Sequence, residues 1–136
     1  MAVKHQFPIR VRFYELDPYR HVNHAVYIQY FEAARVDLLR EAGLTLQGMM
    51  DDGVLIVVTD ISTRFMRSAG GNDDLVVETE VLEFKRVTSR WRQRLVRNGE
   101  VIVEQELGAA VTNLQGRPIR FPEVMVERLR PYLIES

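Results

Sequence analysis

The run HVNHAVYIQYFEAARVDLLREAG, His21 to Gly43, decides the fold. Tyr27, Phe31, Ala34, Leu38 and Ala42 recur at spacings of three and four residues, the period of one helix face. Gln29, Glu32, Asp37, Arg40 and Glu41 fall mostly off that stripe. The spacing predicts a helix over Val22 to Ala42. Gly43 is placed to stop it, with Arg40 in the last turn beside the negative end of the helix dipole. About twenty residues of helix run about 30 Å, the width of a small domain.

What flanks this helix reads mostly as strand. Gln6 to Tyr14 alternates ahead of it, and Pro8 confines that strand to an edge or a strand start. Val54 to Phe65 opens with Val-Leu-Ile-Val-Val, which predicts burial on both faces. Leu75 to Phe84, Ser89 to Val96 and Val101 to Asn113 follow, and Asn98-Gly99 is a strong hairpin signal. Pro122 to Leu133 is expected to hold a short helix. One long helix must cover a sheet of five or six strands, four of them in meander. The economical architecture is α+β, an antiparallel sheet curled around a central helix. Its other face is expected to be covered by another copy of the chain.

Arg90, Arg92 and Arg94 share one face of their strand, and the neighbouring strands carry Glu78, Glu80, Glu104 and Glu106. Opposite charges across strands favour an ion-paired outer face over a polyanion site. The register is open: a two-residue Asn98-Gly99 turn puts Arg92 and Glu106 on different faces, and a three-residue bulged turn puts them together.

The 136 residues suit one domain, taken as 1–136, large enough to bury a core without metal or disulfide. Apolar residues make up 46% and charged residues 27%. Eighteen basic and 19 acidic side chains leave a net charge of −1, which excludes the strong basic bias of a nucleic-acid binder. With no cysteine, a thiol nucleophile and a Cys-ligated metal are excluded. Three histidines without ligand spacing suggest no metal site, and no cofactor is expected. No apolar run is long enough to span a membrane and no signal-peptide core precedes Arg12, so a cytoplasmic protein is expected.

The chemistry-bearing stretch is Glu15-Leu16-Asp17-Pro18-Tyr19-Arg20-His21-Val22-Asn23-His24, just before the helix. A helix start offers unpaired N–H groups and partial positive charge, which stabilise an oxyanion formed at an attacked carbonyl. A nearby carboxylate can attack that carbonyl or draw a proton from water. Each residue also has an ordinary structural use. Asp17-Pro18 is a common turn opening, Asn23 a common cap, and Glu32 with Arg35 a common helix pair.

Three segments carry a resemblance: Val11-Arg12-Phe13-Tyr14-Glu15-Leu16-Asp17, His21-Val22-Asn23-His24-Ala25-Val26-Tyr27 and Tyr30-Phe31-Glu32-Ala33-Ala34-Arg35. In this order and spacing they resemble the hotdog-fold acyl-CoA thioesterases, nearest the 4-hydroxybenzoyl-CoA thioesterase group. Phe65-Met66-Arg67-Ser68-Ala69 and Asp74-Leu75-Val76-Val77 extend it, to about residues 5–115 in all. The resemblance implies a long helix wrapped by an antiparallel sheet, and a homodimer with active sites at its interface, often paired into a homotetramer. It implies hydrolysis of acyl-CoA, with Asp17 as nucleophile or general base. His24 falls where a backbone N–H polarises the thioester carbonyl. Asn23 stands beside it, and Tyr27 and Phe31 would line or support the acyl pocket. Arg64, Arg67 and Ser68, with Lys85, Arg86, Thr88 and Ser89, would approach the CoA phosphates, which Arg binds bidentately. The chain departs from the family at Arg20, where many members carry Gly, and at Ser68, where Pro is common.

Three alternatives stand beside acyl-CoA hydrolysis. The same chemistry could act on acyl carrier protein thioesters. A hotdog hydratase needs a catalytic His on a Gly/Pro-rich loop, and no such loop is present. A non-catalytic acyl-CoA-binding module would usually carry an appended DNA-binding domain, for which 136 residues leave no room.

Overall fold

The structure, a computed structural model, describes residues 3–134. Helix α1 runs from His24 to Glu41, 18 residues and slightly shorter than its apolar stripe suggested. Asn23 caps it, its side chain accepting the Ala25 N–H at 3.0 Å. At the other end Leu44 N–H reaches Leu39 O at 2.7 Å and Gly43 N–H reaches Arg40 O at 3.0 Å. That is a Schellman ending, and it requires the left-handed backbone that Gly43 adopts at φ 78°.

Five strands form one antiparallel sheet: β1 (His5–Arg10), β2 (Leu55–Phe65), β3 (Asp74–Phe84), β4 (Thr88–Arg97) and β5 (Glu100–Thr112). Their spatial order is β1-β3-β4-β5-β2. Only β3, β4 and β5 form a meander, so the expected four-strand meander is corrected. β2 pairs with β5 at the far edge, and residues 66–73 carry the chain back across the sheet. Three strand spacings are about 14 Å, well within the reach of eight residues at about 3.3 Å each. Two short helices, α2 (Leu46–Asp51) and α3 (Glu123–Leu129), cover one end, and a 3-10 turn follows at Arg130–Tyr132. α2 had no clear signal in the sequence. Among the described residues, no helix is long and apolar enough to cross a membrane.

Two strand expectations are corrected. The first strand ends at Arg10 rather than Tyr14, because Phe13–Glu15 winds into a 3-10 turn closed by Glu15 onto the Arg12 N–H. Pro8 does lie on an edge strand, as its missing N–H requires. β2 is not buried on both faces: Val57 and Val58 are 44% and 40% exposed at the outermost position of the sheet.

The β4–β5 register combines both alternatives. The turn is a two-residue Asn98-Gly99 loop, with both residues at positive φ (50° and 79°). A bulge follows, because Val96 faces Val101 while Leu95 faces Val103, leaving Ile102 as the extra residue. The bulge restores parity and sets Arg92 opposite Glu106 and Arg94 opposite Glu104. On this outer face Arg92 pairs with Glu80, Arg94 bridges Glu80 at 3.4 Å and Glu104 at 3.0 Å, and Arg90 reaches Asp60 at 3.2 Å.

The inner face packs on α1 in two apolar clusters. Tyr27, Phe31 and Ala34 lie among Leu75, Val77 and Leu95, and Leu38 among Val81, Trp91 and Leu107. Between the clusters a polar row crosses the sheet in register: His5, Thr79, Gln93, Gln105, Thr63. Gln93 is fully buried and holds this seam to the helix. It donates to Phe31 O at 2.8 Å and Thr79 Oγ1 at 3.0 Å, and accepts from Arg35 at 2.9 Å. Arg35 therefore does not form the simple pair with Glu32. His5 ends the row against Asp37 of α1, with Nε2 to Oδ2 at 2.8 Å.

Candidate active site

The segment between β1 and α1 is fixed by a buried carboxylate. Glu15, 8% exposed, accepts the Arg12 N–H at 2.8 Å, an Arg12 guanidinium N–H at 3.1 Å and the Tyr30 hydroxyl at 2.7 Å. Burial alone would raise its pKa. The hydrogen bonds from Arg12 and Tyr30 outweigh burial and hold the carboxyl below the ordinary range. Its backbone carbonyl takes the Asn23 N–H at 3.0 Å, so both ends of the intervening loop are tied together.

Inside that loop Asp17 closes a tight turn and keeps one oxygen free. Its Oδ1 accepts the N–H groups of Tyr19 at 2.8 Å and His21 at 3.1 Å. Its backbone N–H reaches His21 O at 2.7 Å, and its carbonyl takes the Arg20 N–H at 3.0 Å. Oδ2 has no partner among the described residues, and the side chain is half-buried. The turn role and a free carboxylate oxygen coexist in one residue. Closing the turn puts Arg20 at φ 65°, the left-handed region that favours glycine.

His24 is the first residue of α1, with an exposed side chain. The Asn23 amide takes the next N–H, that of Ala25, and Asn23 O takes that of Val26. The His24 N–H finds no acceptor among the described residues, and it stands where the helix dipole is positive. Asn23 thus acts as a cap.

The crossing after β2 leans on this turn. Ala69 O accepts the Val22 N–H at 2.9 Å, Ala69 N–H donates to the Tyr27 hydroxyl at 2.9 Å, and His21 bridges to Gly70. Tyr27 is buried, its ring 5.6 Å from that of Phe65. Burial pushes its phenol pKa up, and the nearby Asp17 and Asp73 carboxylates add to this. Phe31 is wholly buried in the core and reaches no surface of the single chain.

The basic residues are split between two places. Arg64 lies opposite Glu104 on the outer face, and Arg67 pairs with Glu100 at 3.2 Å. Ser68 gives its carbonyl to Arg97 at 2.9 Å. Lys85 and Thr88 flank a cavity of about 200 Å³ at the other end of the sheet, with exposed Arg86 in the same turn. Ser89 is buried and structural, accepting the Trp91 indole N–H at 2.9 Å. Arg64 faces Glu104 and Thr88 faces Ala110, positions about 20 Å apart along β5 at about 3.3 Å per residue. One chain brings Asp17, Asn23, His24, Tyr27 and Ser68 together and leaves Lys85, Arg86 and Thr88 remote. Reading the sequence missed Glu15 and Tyr30; an acid set among Val11, Phe13, Tyr14 and Leu16 was the available signal.

The sequence pattern of the thioesterase-like superfamily matches residues 11–129. The Haemophilus influenzae protein named acyl-CoA thioesterase YbgC is 34% identical over 119 residues, covering 86% of this chain and 88% of its own. A Thermus thermophilus protein of solved structure, described as hypothetical, superposes with a TM-score of 0.86 at 30% identity over 93% of this chain and 98% of its own. A 1,4-dihydroxy-2-naphthoyl-CoA thioesterase from Synechocystis superposes with a TM-score of 0.87 over 94% of this chain and 96% of its own. At 14% identity it speaks for the fold alone.

Proposed function

The chain belongs to the thioesterase-like superfamily, and on that premise we propose that it hydrolyses acyl-CoA thioesters to a free acid and CoA, with Asp17 as nucleophile or general base. One observation carries the reading. A carboxylate with an unbonded oxygen and an unpaired helix-start N–H lie seven residues apart on one short, braced segment.

The chemistry follows from those two groups. The His24 N–H donates to the thioester oxygen and stabilises the negative charge that grows there. As a general base, Asp17 Oδ2 takes a proton from water as the water oxygen bonds to the carbonyl carbon. The tetrahedral intermediate then expels the CoA thiolate, which is protonated on leaving. As a nucleophile, Oδ2 bonds to the carbonyl carbon itself, the C–S bond breaks, and water hydrolyses the resulting mixed anhydride. The His24 imidazole, exposed beside its own N–H, is placed to orient the water.

The active unit is a homodimer joined along β2. That strand is an open edge carrying Val57, Val58, Ile61 and Phe65, each at least 40% exposed. A long apolar edge invites pairing with another strand. A two-fold antiparallel pairing of β2 with its copy reverses the copy's sheet. The 85–88 turn of the second copy then falls at the Arg64, Arg67 and Ser68 end of the first, beside Asp17. The basic groups separated in one chain would so gather around the phosphates of one CoA.

The test follows CoA thiol release with a thiol-reactive dye. Benzoyl-, 4-hydroxybenzoyl-, phenylacetyl-, short-chain and palmitoyl-CoA are each tested with the wild type and Asp17→Asn. Asn keeps an oxygen for the Tyr19 and His21 N–H groups and removes only the charge, so the turn persists. Turnover that falls at least ~10²-fold in Asp17→Asn supports the assignment. Turnover unchanged in that variant removes Asp17 from the mechanism. No turnover with bound CoA esters shifts the substrate to acyl carrier protein thioesters or the function to ligand binding.

A further inference from the structure

We propose that Arg97 is a positioning residue for this reaction, acting through Asp73 to hold residues 68–70 against the Asp17 turn and the first turn of α1. The proposal rests on the hydrolytic reading above.

Arg97 ends β4, at the opposite end of that strand from Thr88, and has no role assigned to it above. One guanidinium nitrogen, Nη1, donates to both Ser68 O at 2.9 Å and Asp73 Oδ2 at 3.0 Å. The same Asp73 oxygen accepts the Gly70 N–H at 2.9 Å. The loop is thus closed on itself by one cation and one carboxylate, both only partly exposed. The Gly70 N–H, and then Arg97, hold the Asp73 carboxyl below its ordinary pKa against the opposing effect of burial.

The closed loop grips the site on three sides. Ala69, fully buried, takes the Val22 N–H and gives its own to Tyr27. Gly70 bridges His21, whose N–H is bonded to Asp17 Oδ1. Asp73 O takes the Val11 N–H at 3.0 Å and Val11 O takes that of Asn72 at 3.3 Å, at the chain's entry to the Glu15 turn. The backbone on both sides of Asp17 is therefore registered against the loop that Arg97 fastens. Val22 precedes the cap and His24 by one and two residues, so a shift of Ala69 O displaces the oxyanion donor. Arg97 touches none of the reacting groups. A misplacement of about 1 Å in such a donor costs up to ~10²-fold in rate.

The neighbouring Arg10–Asp74 pair, 2.8 Å apart and exposed on both sides, has no side-chain hydrogen bond to residues 68–70 and serves as control. The experiment compares Arg97→Met, Arg97→Lys, Asp73→Asn and Arg10→Gln for kcat, KM and thermal midpoint, assayed well below each midpoint. Arg97→Met is expected to lower kcat about 10-fold or more with KM within about 2-fold. Arg97→Lys is expected to recover most of the loss, because both bonds leave one nitrogen that an ammonium can replace. Arg10→Gln is expected to match the wild type. A lowered midpoint with kcat unchanged would make Arg97 merely structural and overturn the proposal. A raised KM with kcat unchanged would make it a ligand-binding cation and also overturn it. Should Arg97→Met fail to fold, Asp73→Asn reads the same quantity: kcat lowered at unchanged KM supports the proposal, and unchanged kcat overturns it. If the wild type proves inert, the hydrolytic reading fails separately. Amide hydrogen exchange at Val22 then decides: faster in the Arg97 or Asp73 variant supports the positioning role, and unchanged overturns it.

Discussion

The Tyr30 hydroxyl donates to Glu15 Oε1 at 2.7 Å, which ties the second turn of α1 to the residue two places before Asp17. The Glu15 carboxylate is buried and its other partners come from Arg12, so Tyr30 is the one link from that carboxylate to the helix among the described residues, beside the Asn23 N–H held by the Glu15 carbonyl. Through this bond the turn carrying Asp17 and the helix carrying the His24 N–H are held as one body. Tyr30→Phe removes the donor and leaves a buried charged acceptor short of a partner, a loss of about 1.5–3 kcal/mol. Urea denaturation is expected to show that loss. Turnover measured in folded Tyr30→Phe is expected to fall about 10-fold through misalignment.

The pH dependence of stability follows from the same carboxylates. Glu15 and Asp73 are both held below the ordinary carboxyl range in the folded chain. Their folded pKa lies below the unfolded one, so their contribution is complete above the unfolded value, about 4, and fades as pH falls through the folded value. The urea midpoint is expected to be flat from about pH 7 to 5 and to drop below about pH 4. Glu15→Gln should start lower at neutral pH and lose less on acidification. An acid limb identical to that of the wild type would assign the loss to other groups. Tyr30, raised by burial and then by Glu15, gives the opposite limb, with stability present in its protonated form and lost in strong alkali.

Arg20 carries strain that its neighbours impose. The Asp17 turn needs φ 65° there, and a side chain in that region costs about 1–2 kcal/mol. Glycine relieves this and gives back about 0.5–1 kcal/mol in chain entropy. Arg20→Gly is expected to be neutral to about 1 kcal/mol stabilising, while Arg20→Val should be clearly destabilising. A differential scanning measurement of the two thermal midpoints checks the order.

How much of this was legible depends on whether the deciding interaction is local. The helix could be read because Tyr27, Phe31, Ala34 and Leu38 keep its period, and because Asn23 and Gly43 mark its ends by backbone needs of their own. The Asn98-Gly99 turn was legible for the same reason. The bulge at Ile102 was not, since nothing in Val101 to Val103 distinguishes the residue left unpaired. The place of β2 depends on where residues 66–73 cross, a tertiary fact, so its apolar run was read as interior when it forms an edge. Gln93 and Gln105 look outward by residue type and point inward by strand parity, and only their partners decide between the two. In the candidate site, Asp17 and His24 were visible because their segment concentrates polar residues beside a helix start. Arg97 was invisible because it reaches the site from β4 through a carbonyl and a carboxylate.

The proposed two-chain site would make activity depend on the β2 edge. Ile61 and Val58 project from β2 on the face that packs toward α1, at 42% and 40% exposure, only partly covered by their own chain. Burying an aliphatic side chain of this kind contributes about 1.5–3 kcal/mol, and two-fold symmetry doubles it. In that dimer Ile61→Lys would place an ammonium group from each chain in the joined edge and replace that gain with desolvation cost and repulsion. The wild type is expected to sediment at twice the chain mass or a multiple of it, and Ile61→Lys at the chain mass. The variant should keep its helix and strand content by circular dichroism, since the side chain is a surface group in the single chain. Its turnover should be lost along with the dimer, because Lys85, Arg86 and Thr88 no longer reach the phosphates of a CoA seated at Asp17. A monomeric variant that hydrolyses as fast as the wild type would show that one chain suffices, and the two-chain site would be wrong.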